Sequence, residues 1–370
     1  MKIGILTHYY RSENYGGNLQ AYALCKVLKH IGYQAQQISL NRSKTKNLKC
    51  RVAEKISYLR NYHGPAFSRK MKHRKSAFRE FNDQMIPHSK VYTEKNIYTC
   101  VNQYDAFITG SDQVWHPLAC CDAYLLKFVP SEKIKISYAA SVATDILSPE
   151  CRGRYRNAFL DYRAISVREQ ETVELLQDIS PVPVEWTLDP TLLLTKAQWE
   201  EIATPYIPTE KYIFCYFLGD DAQQRKIATD FAQKRGLKIV TLPHLLGKHR
   251  KCDVDFGDEK LYDVSPKMLL ALIREAECVF TDSFHATVFS LIYEKQHFVF
   301  QRAGAKSMGV RLQTLTNLFG TQDYFCNESA KQSLEYVEAL PTIDYKREFI
   351  ELEHARAVSI RFLKENLKRK

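Results

Sequence analysis

Three short stretches hold the side chains best placed by type and spacing to do chemistry: GSDQVWHP at 110–117, SVREQ at 166–170 and DSFHATVF at 282–289. In the first, Asp112 is the candidate general base, flanked by the polar Ser111 and Gln113. Trp115 offers either an aromatic platform for a sugar ring or a plug for the end of a sheet. In the second, the planar fork of Arg168 suits a carboxylate or phosphate, while its neighbour Glu169 offers an ion pair as the alternative. In the third, His285 is a candidate general acid, with Asp282 three positions earlier to orient it; the plainer alternative is a satisfied core histidine. Ser141 adds a hydroxyl, and Arg302 and Arg311 add cations downstream.

A fourth stretch, SENYGGNLQAYAL at 12–24, follows the apolar run of residues 2–6 and precedes helical spacing of apolar residues over 19–31. Gly16 and Gly17 therefore fall where a loop turns into a helix, a junction whose unpaired amides favour an anion. Asn14, Tyr15, Asn18 and Gln20 share that loop, and no GxGxxG dinucleotide fingerprint is present.

These residues need a scaffold, and the sequence supplies one. YDAFITG, KISYAAS, AISVRE and PVEWTLDP each open on an apolar run and end in polar residues, the pattern of a parallel sheet with function gathered at the strand ends. The pattern restarts near residue 195 with KYIFCYFLGDD as a strand, 222–235 as a helix, LKIVTLPH as a strand and PKMLLALIREAE as a helix. CVFTDSFHATVFSLIY reads as a further strand, HFVFQR as the last, and VRLQTLTNLFG as a helix. The expected fold is α/β, two Rossmann-like open-sheet domains facing a cleft as in the glycosyltransferase B architecture. Residues 1–195 form the first domain with a basic helical insertion at about 42–85, 196–345 the second, and 346–370 a C-terminal helix.

With 370 residues, 45% hydrophobic and 26% charged, the composition is that of a folded protein of about two domains. No run approaches the roughly 20 apolar residues of a membrane span and no signal-peptide layout opens the chain, so a cytoplasmic location is expected. The ten cysteines are scattered without a CxxC pair and read mostly as buried thiols; adjacent Cys120 and Cys121 are poorly spaced for zinc. Of the net charge of +11, residues 42–79 supply +12, from 13 Lys and Arg against Glu54 alone. Leu48, Val52, Ile56 and Leu59 recur there at helical intervals, and Phe67, Met71, Phe78 and Phe81 suggest a second helix. Such a segment can meet anionic lipid or phosphorylated substrates, or simply cover the sheet as solvated helices. No nucleic-acid-binding module accompanies the charge.

Taken in order, GILTHYYRSENYGGNLQAYAL, FITGSDQVWHP, ISYAAS, ISVREQETVELL, TLDPTLLL, VFTDSFHATVFSLI and VRLQTL resemble the polysaccharide pyruvyl transferase family over about residues 3–320. The resemblance implies an enzyme that moves the enolpyruvyl unit of phosphoenolpyruvate onto a sugar of a cell-surface polysaccharide precursor, such as a capsule or exopolysaccharide, forming a pyruvate ketal and releasing phosphate. It implies no cofactor beyond that co-substrate and no metal. Donor contacts in the family match Arg168 and an Arg-Leu-His triplet. Here the triplet is Ser283, Phe284 and His285, so the histidine is kept and the arginine is absent. Arg302 or Arg311 is then left to supply the charge, and room remains for a different donor.

On this reading His285 protonates the donor and Asp112 deprotonates the acceptor. Arg168, Ser283, Phe284, His285, Arg302 and Arg311 bind the donor on the second domain's side. Asn14, Tyr15, Gly16, Gly17, Asn18, Gln20, Ser111, Gln113 and Trp115 face the acceptor glycan or its pyrophosphate, and the basic segment docks a lipid-linked acceptor at the inner face of the plasma membrane. The alternatives are a nucleotide-sugar-dependent glycosyltransferase of the B type and a non-catalytic glycan-binding or membrane-associated protein.

Overall fold

A computed structural model describes residues 1–42, 64–245, 250–302, 306–346 and 350–368. The apolar spacing of Leu48, Val52, Ile56 and Leu59 lies outside the described residues. The chain divides into two compact units: residues 1–46, 80–194 and 352–370 form the first, and residues 47–79 and 195–351 the second.

In the first unit β1 (Lys2–Leu6), β2 (Gln34–Leu40), β3 (His88–Tyr92), β4 (Ala106–Thr109) and β5 (Ile134–Ser137) form one parallel sheet in the order β3-β2-β1-β4-β5. The short pair β6 (Ile165–Val167) and β7 (Val184–Trp186) continues it through isolated bridges such as Ile136 to Ala164 and Ala140 to Val167. The apolar runs behave as parallel strands must, covered on both faces: Ile3, Ile5, Leu6, Phe107 and Ile108 are completely buried.

The second unit repeats the plan. β8 (Tyr212–Tyr216), β9 (Lys238–Thr241), β10 (Glu259–Lys260), β11 (Cys278–Thr281), β12 (Gln296–Phe300) and β13 (Phe325–Cys326) form a parallel sheet ordered β10-β9-β8-β11-β12-β13. Phe231, Phe280, Phe298 and Phe300 interlock in its core. In each unit the strand order reverses beside the first strand, between β1 and β4 and between β8 and β11. In doubly wound sheets the carboxyl ends of strands at such a switch point form the ligand crevice.

The stretch expected as one long strand, CVFTDSFHATVFSLIY, is a strand only to Thr281; the helix Phe284–Ile292 follows. Its residues are buried on nearly every side, so no apolar stripe betrays the helical period, and Ser283 starts the helix by accepting from the Ala286 amide. The basic stretch contributes the helix Pro65–Met85, with Phe67 edge-on to Tyr262 and Arg69, Lys70, Lys72, Lys75 and Arg79 exposed. Its part up to Arg79 groups with the second unit, whereas the sequence alone assigns the whole insertion to the first.

The C-terminal helix Ile350–Asn366 returns to the first unit, where Phe362 packs on Tyr138 and Ser359 Oγ accepts from the Leu188 amide at 3.0 Å. The nine described cysteines are free thiols, most of them buried, and burial pushes the Cys120 thiol up to about 12.

Candidate active site

In the first unit the switch point is built by the loops after β1 and β4. Asn14 caps the helix Tyr15–His30 by accepting from the Gly17 amide at 3.2 Å. A Cβ on Gly17 would lie 2.6 Å from the His8 carbonyl oxygen and 3.6 Å from Asp112 Oδ2. Only glycine therefore lets the β1 loop cross here and brings the Asp112 carboxylate against the first helical turn. Asp112 itself takes a left-handed backbone, φ 66°, with its side chain 12% exposed.

His8 stands beside it. Its Nε2 lies 3.2 Å from the Gln113 carbonyl, which can only accept, so that nitrogen carries a proton. Burial holds the ring below the usual histidine range although the Asp112 charge pulls the other way. The result is a neutral imidazole next to a carboxylate at the strand ends.

Arg168 does not wait for an anion. Its Nη1 is 2.9 Å from Asp189 Oδ2, its Nε 3.4 Å from Glu169 Oε1 and its Nη2 3.6 Å from Asp112 Oδ1, with the side chain 3% exposed. Ser141 donates to Glu169 at 2.6 Å, Ser111 to Asp189 at 3.1 Å, and Thr191 to Asp189 through both its amide and its hydroxyl. Burial alone would lower the Arg168 pKa; Glu169, Asp189 and Asp112 outweigh it and hold the guanidinium charged. The guanidinium expected as a donor contact is thus engaged by three carboxylates, Asp189 most closely and Asp112 at the longest distance.

Most of the expected acceptor residues turn inward. Trp115 is completely buried against Phe159, Tyr155 and Tyr162, with Nε1 donating to the Tyr124 carbonyl, so it has no face for a sugar. Asn18 is buried and donates to the Ser12 and Asn14 carbonyls; Gln20 is buried and donates to Thr7 Oγ1 and the Gly17 carbonyl. Tyr15, Gly16, Gly17 and Ser111 are buried as well. These groups staple the loop, because a buried turn must satisfy its own backbone. Asn14, which is exposed, and Gln113, which is half-buried, keep solvent-facing surface.

In the second unit Asp282 occupies the switch point. Fully buried, it accepts from the Leu218 and Gly219 amides, each at 2.6 Å, and from Arg302 Nε at 3.3 Å. Asp282 thus turns back to the β8 loop and to Arg302, in place of the expected orientation of His285. Arg302 also donates through Nη2 to the Asp282 carbonyl at 3.3 Å, and its side chain stays 24% exposed. It is a cation clamped in one pose at the end of β12.

Ser283 is buried as the helix cap, and Phe284 is buried with its ring edge-on to His285. His285 is half-buried in the first helical turn. Arg311 is 4% exposed on the helix Lys306–Leu318.

Two histidines at these strand ends, His8 and His244, lie outside the expected set. The signal for both is the same, an apolar strand closing on a histidine, KIGILTH in one case and LKIVTLPH in the other. Among the described residues no three His, Cys, Asp or Glu side chains gather as metal ligands.

The two doubly wound sheets define a protein of the glycosyltransferase B-like fold class, and solved structures agree. The chain is similar to UDP-GlcNAc 2-epimerase of Methanocaldococcus jannaschii in complex with UDP-GlcNAc and UDP, at 12% identity and TM-score 0.54, covering 99% of this chain and 100% of that one. It is similar also to UDP-GlcNAc 2-epimerase of Neisseria meningitidis bound to UDP-GlcNAc, at 13% identity and TM-score 0.51 over 99% and 100%. Arabidopsis thaliana UGT89C1 matches at 9% identity and TM-score 0.50 over 98% and 95%. At such identities the likeness speaks for the fold alone. No curated protein sequence matches significantly. The model of one family, polysaccharide pyruvyl transferase, matches residues 14–303. The chain belongs to the polysaccharide pyruvyl transferase family, and is a transferase.

Proposed function

We propose that the protein transfers the enolpyruvyl group of phosphoenolpyruvate to a sugar of a polysaccharide precursor and closes it into a cyclic ketal. The observation that carries this reading is Arg302, held on Asp282 at the end of β12 with its guanidinium partly open, next in the fold to the helix Phe284–Ile292 that holds His285 in its first turn. A donor with a phosphate and a carboxylate needs such a preset cation.

In the proposed reaction His285 protonates the methylene carbon of the donor, and the electron-poor C2 takes the oxygen of a sugar hydroxyl. Asp112, set by Arg168, accepts the hydroxyl proton. The C2–O bond to phosphate then breaks, phosphate leaves with the bonding pair, and a second hydroxyl adds to C2 with loss of its proton. One phosphoenolpyruvate and one diol give one ketal and one inorganic phosphate, with no step routed through a metal. Arg302 and Arg311 favour the donor on the second unit, and Asn14 and Gln113 the acceptor on the first.

No described helix is long and apolar enough to cross a membrane. The exposed cations of the helix Pro65–Met85 support docking of a lipid-linked acceptor at an anionic cytoplasmic membrane face.

The test is a thermal-shift titration of the full chain. Phosphoenolpyruvate at about 100 times its Kd should stabilise the protein by about 2.7 kcal/mol, and Arg302→Gln should lose most of that. Stabilisation by UDP-GlcNAc with none by phosphoenolpyruvate would favour a nucleotide-sugar transferase instead.

A further inference from the structure

We infer that the second unit carries an oxyanion site of the phosphate-monoester class made by His244, Arg250 and Arg302, of which His244 and Arg250 have no part in the roles assigned above. The inference deepens the donor-side reading by adding residues and a proton linkage to it, and rests on that reading only for the name of the ligand.

A single hydrogen-bonded scaffold carries the three side chains. The Arg250 carbonyl accepts from the Asp253 amide at 3.1 Å, and Asp253 Oδ2 accepts from the His244 amide at 3.3 Å. Asp253 Oδ1 accepts from Arg225 Nε at 3.2 Å and Nη2 at 2.7 Å, and Arg225 Nη2 also donates to the Gly219 carbonyl at 2.9 Å. The Gly219 amide is on Asp282, and Asp282 holds Arg302. A Cβ on Gly219 would lie 2.8 Å from Asp282 Oδ2 and 3.1 Å from Arg302 Cγ, so the approach is tight. The network runs along the carboxyl ends of β9, β8, β11 and β12.

Charge on this scaffold does not cancel. Asp253 is paired with Arg225 and Asp282 with Arg302, which leaves Arg250 without a carboxylate among the described residues. Arg250 Nη1 is moreover buried with no hydrogen-bond partner. A buried guanidinium N–H left unpaired costs free energy unless a ligand takes it, and the ligand that suits it is an oxyanion. His244 is half-buried, and burial first, then Arg250 and Arg302, depress its pKa to about 4 against the opposing pull of Asp253 and Asp282. A dianion seated between those two arginines reverses that balance, so binding draws a proton onto His244.

The experiment is calorimetric titration of the full chain with sodium sulfate, inorganic phosphate and phosphoenolpyruvate. Sulfate stays a dianion across the pH range used, so its pH dependence reports the protein. Arg250→Gln and His244→Asn should each weaken sulfate and phosphate about tenfold, the loss of one charge-assisted hydrogen bond. Arg250→Lys should restore part of the affinity, and unchanged melting curves should show that each variant is folded.

Wild-type affinity for sulfate should rise as pH falls from 7.5 to 5.5, and that rise should vanish in His244→Asn. Sulfate and phosphate affinities unmoved in both variants, or no binding to the wild type, would overturn the site. Phosphoenolpyruvate binding that ignores both variants would overturn it while leaving pyruvyl transfer standing. Phosphate binding lost in both variants without any preference for phosphoenolpyruvate would uphold the site and remove the pyruvyl reading.

Discussion

Arg168→Ala is expected to destabilise the first unit by about 3–5 kcal/mol, the usual cost of removing one partner from a buried ion cluster. The guanidinium sits among Asp189, Glu169 and Asp112 with its side chain 3% exposed, so alanine leaves three carboxylates facing one another with their shared cation gone. Ser111, Ser141 and Thr191 remain as hydrogen-bond donors but bring no charge. Arg168→Lys keeps the charge and loses the fork that meets the carboxylates together, and should fall between wild type and alanine. Urea unfolding followed by tryptophan fluorescence checks this, with the effect read in the transition that reports Trp115 in the same unit. A loss below about 1 kcal/mol accompanied by lost phosphoenolpyruvate binding would return Arg168 to the donor site.

The largest catalytic effect is expected at His285. If its imidazole delivers the proton to the donor, His285→Gln should lower turnover by about 10²- to 10⁴-fold, the usual worth of a positioned acid. Phosphoenolpyruvate affinity should change little, because the binding charge is carried by Arg302. Arg302→Gln should show the opposite split, with the donor KM raised more than turnover is lowered. The two variants together separate proton delivery from anchoring. Turnover in His285→Gln within a few-fold of wild type would remove His285 from the chemistry.

Much of this architecture is legible in the sequence, because a parallel strand is a short apolar run that ends where polar residues begin. Asp112 and Asp282 stand at those ends and fall at the two switch points of the sheets. The direction each polar side chain takes is less legible. Asn18 and Gln20 have the same residue types as ligand-binding groups but satisfy their own loop's carbonyls and the Thr7 hydroxyl, and Ser111 turns to the Ala139 carbonyl and Asp189.

The cluster around Arg168 depends on Asp189, brought from 21 residues away by the pairing of β6 with β7; PVEWTLDP marks the strand end, but no local pattern announces which side chain it meets. In the same way, all-round burial hides the helix after Ser283. The C-terminal helix returns to the first unit through contacts such as that of Ser359 with Leu188, 171 positions apart.

The most direct test of the central claim is product chemistry. The full chain is incubated with phosphoenolpyruvate labelled with ¹³C at C2 and a panel of sugar glycosides bearing free diols, with released phosphate measured in parallel. The account predicts that the label moves to a quaternary ketal carbon on a sugar, with one phosphate released per ketal. Transfer of a sugar from UDP-GlcNAc to the same panel with the labelled phosphoenolpyruvate left intact would contradict it.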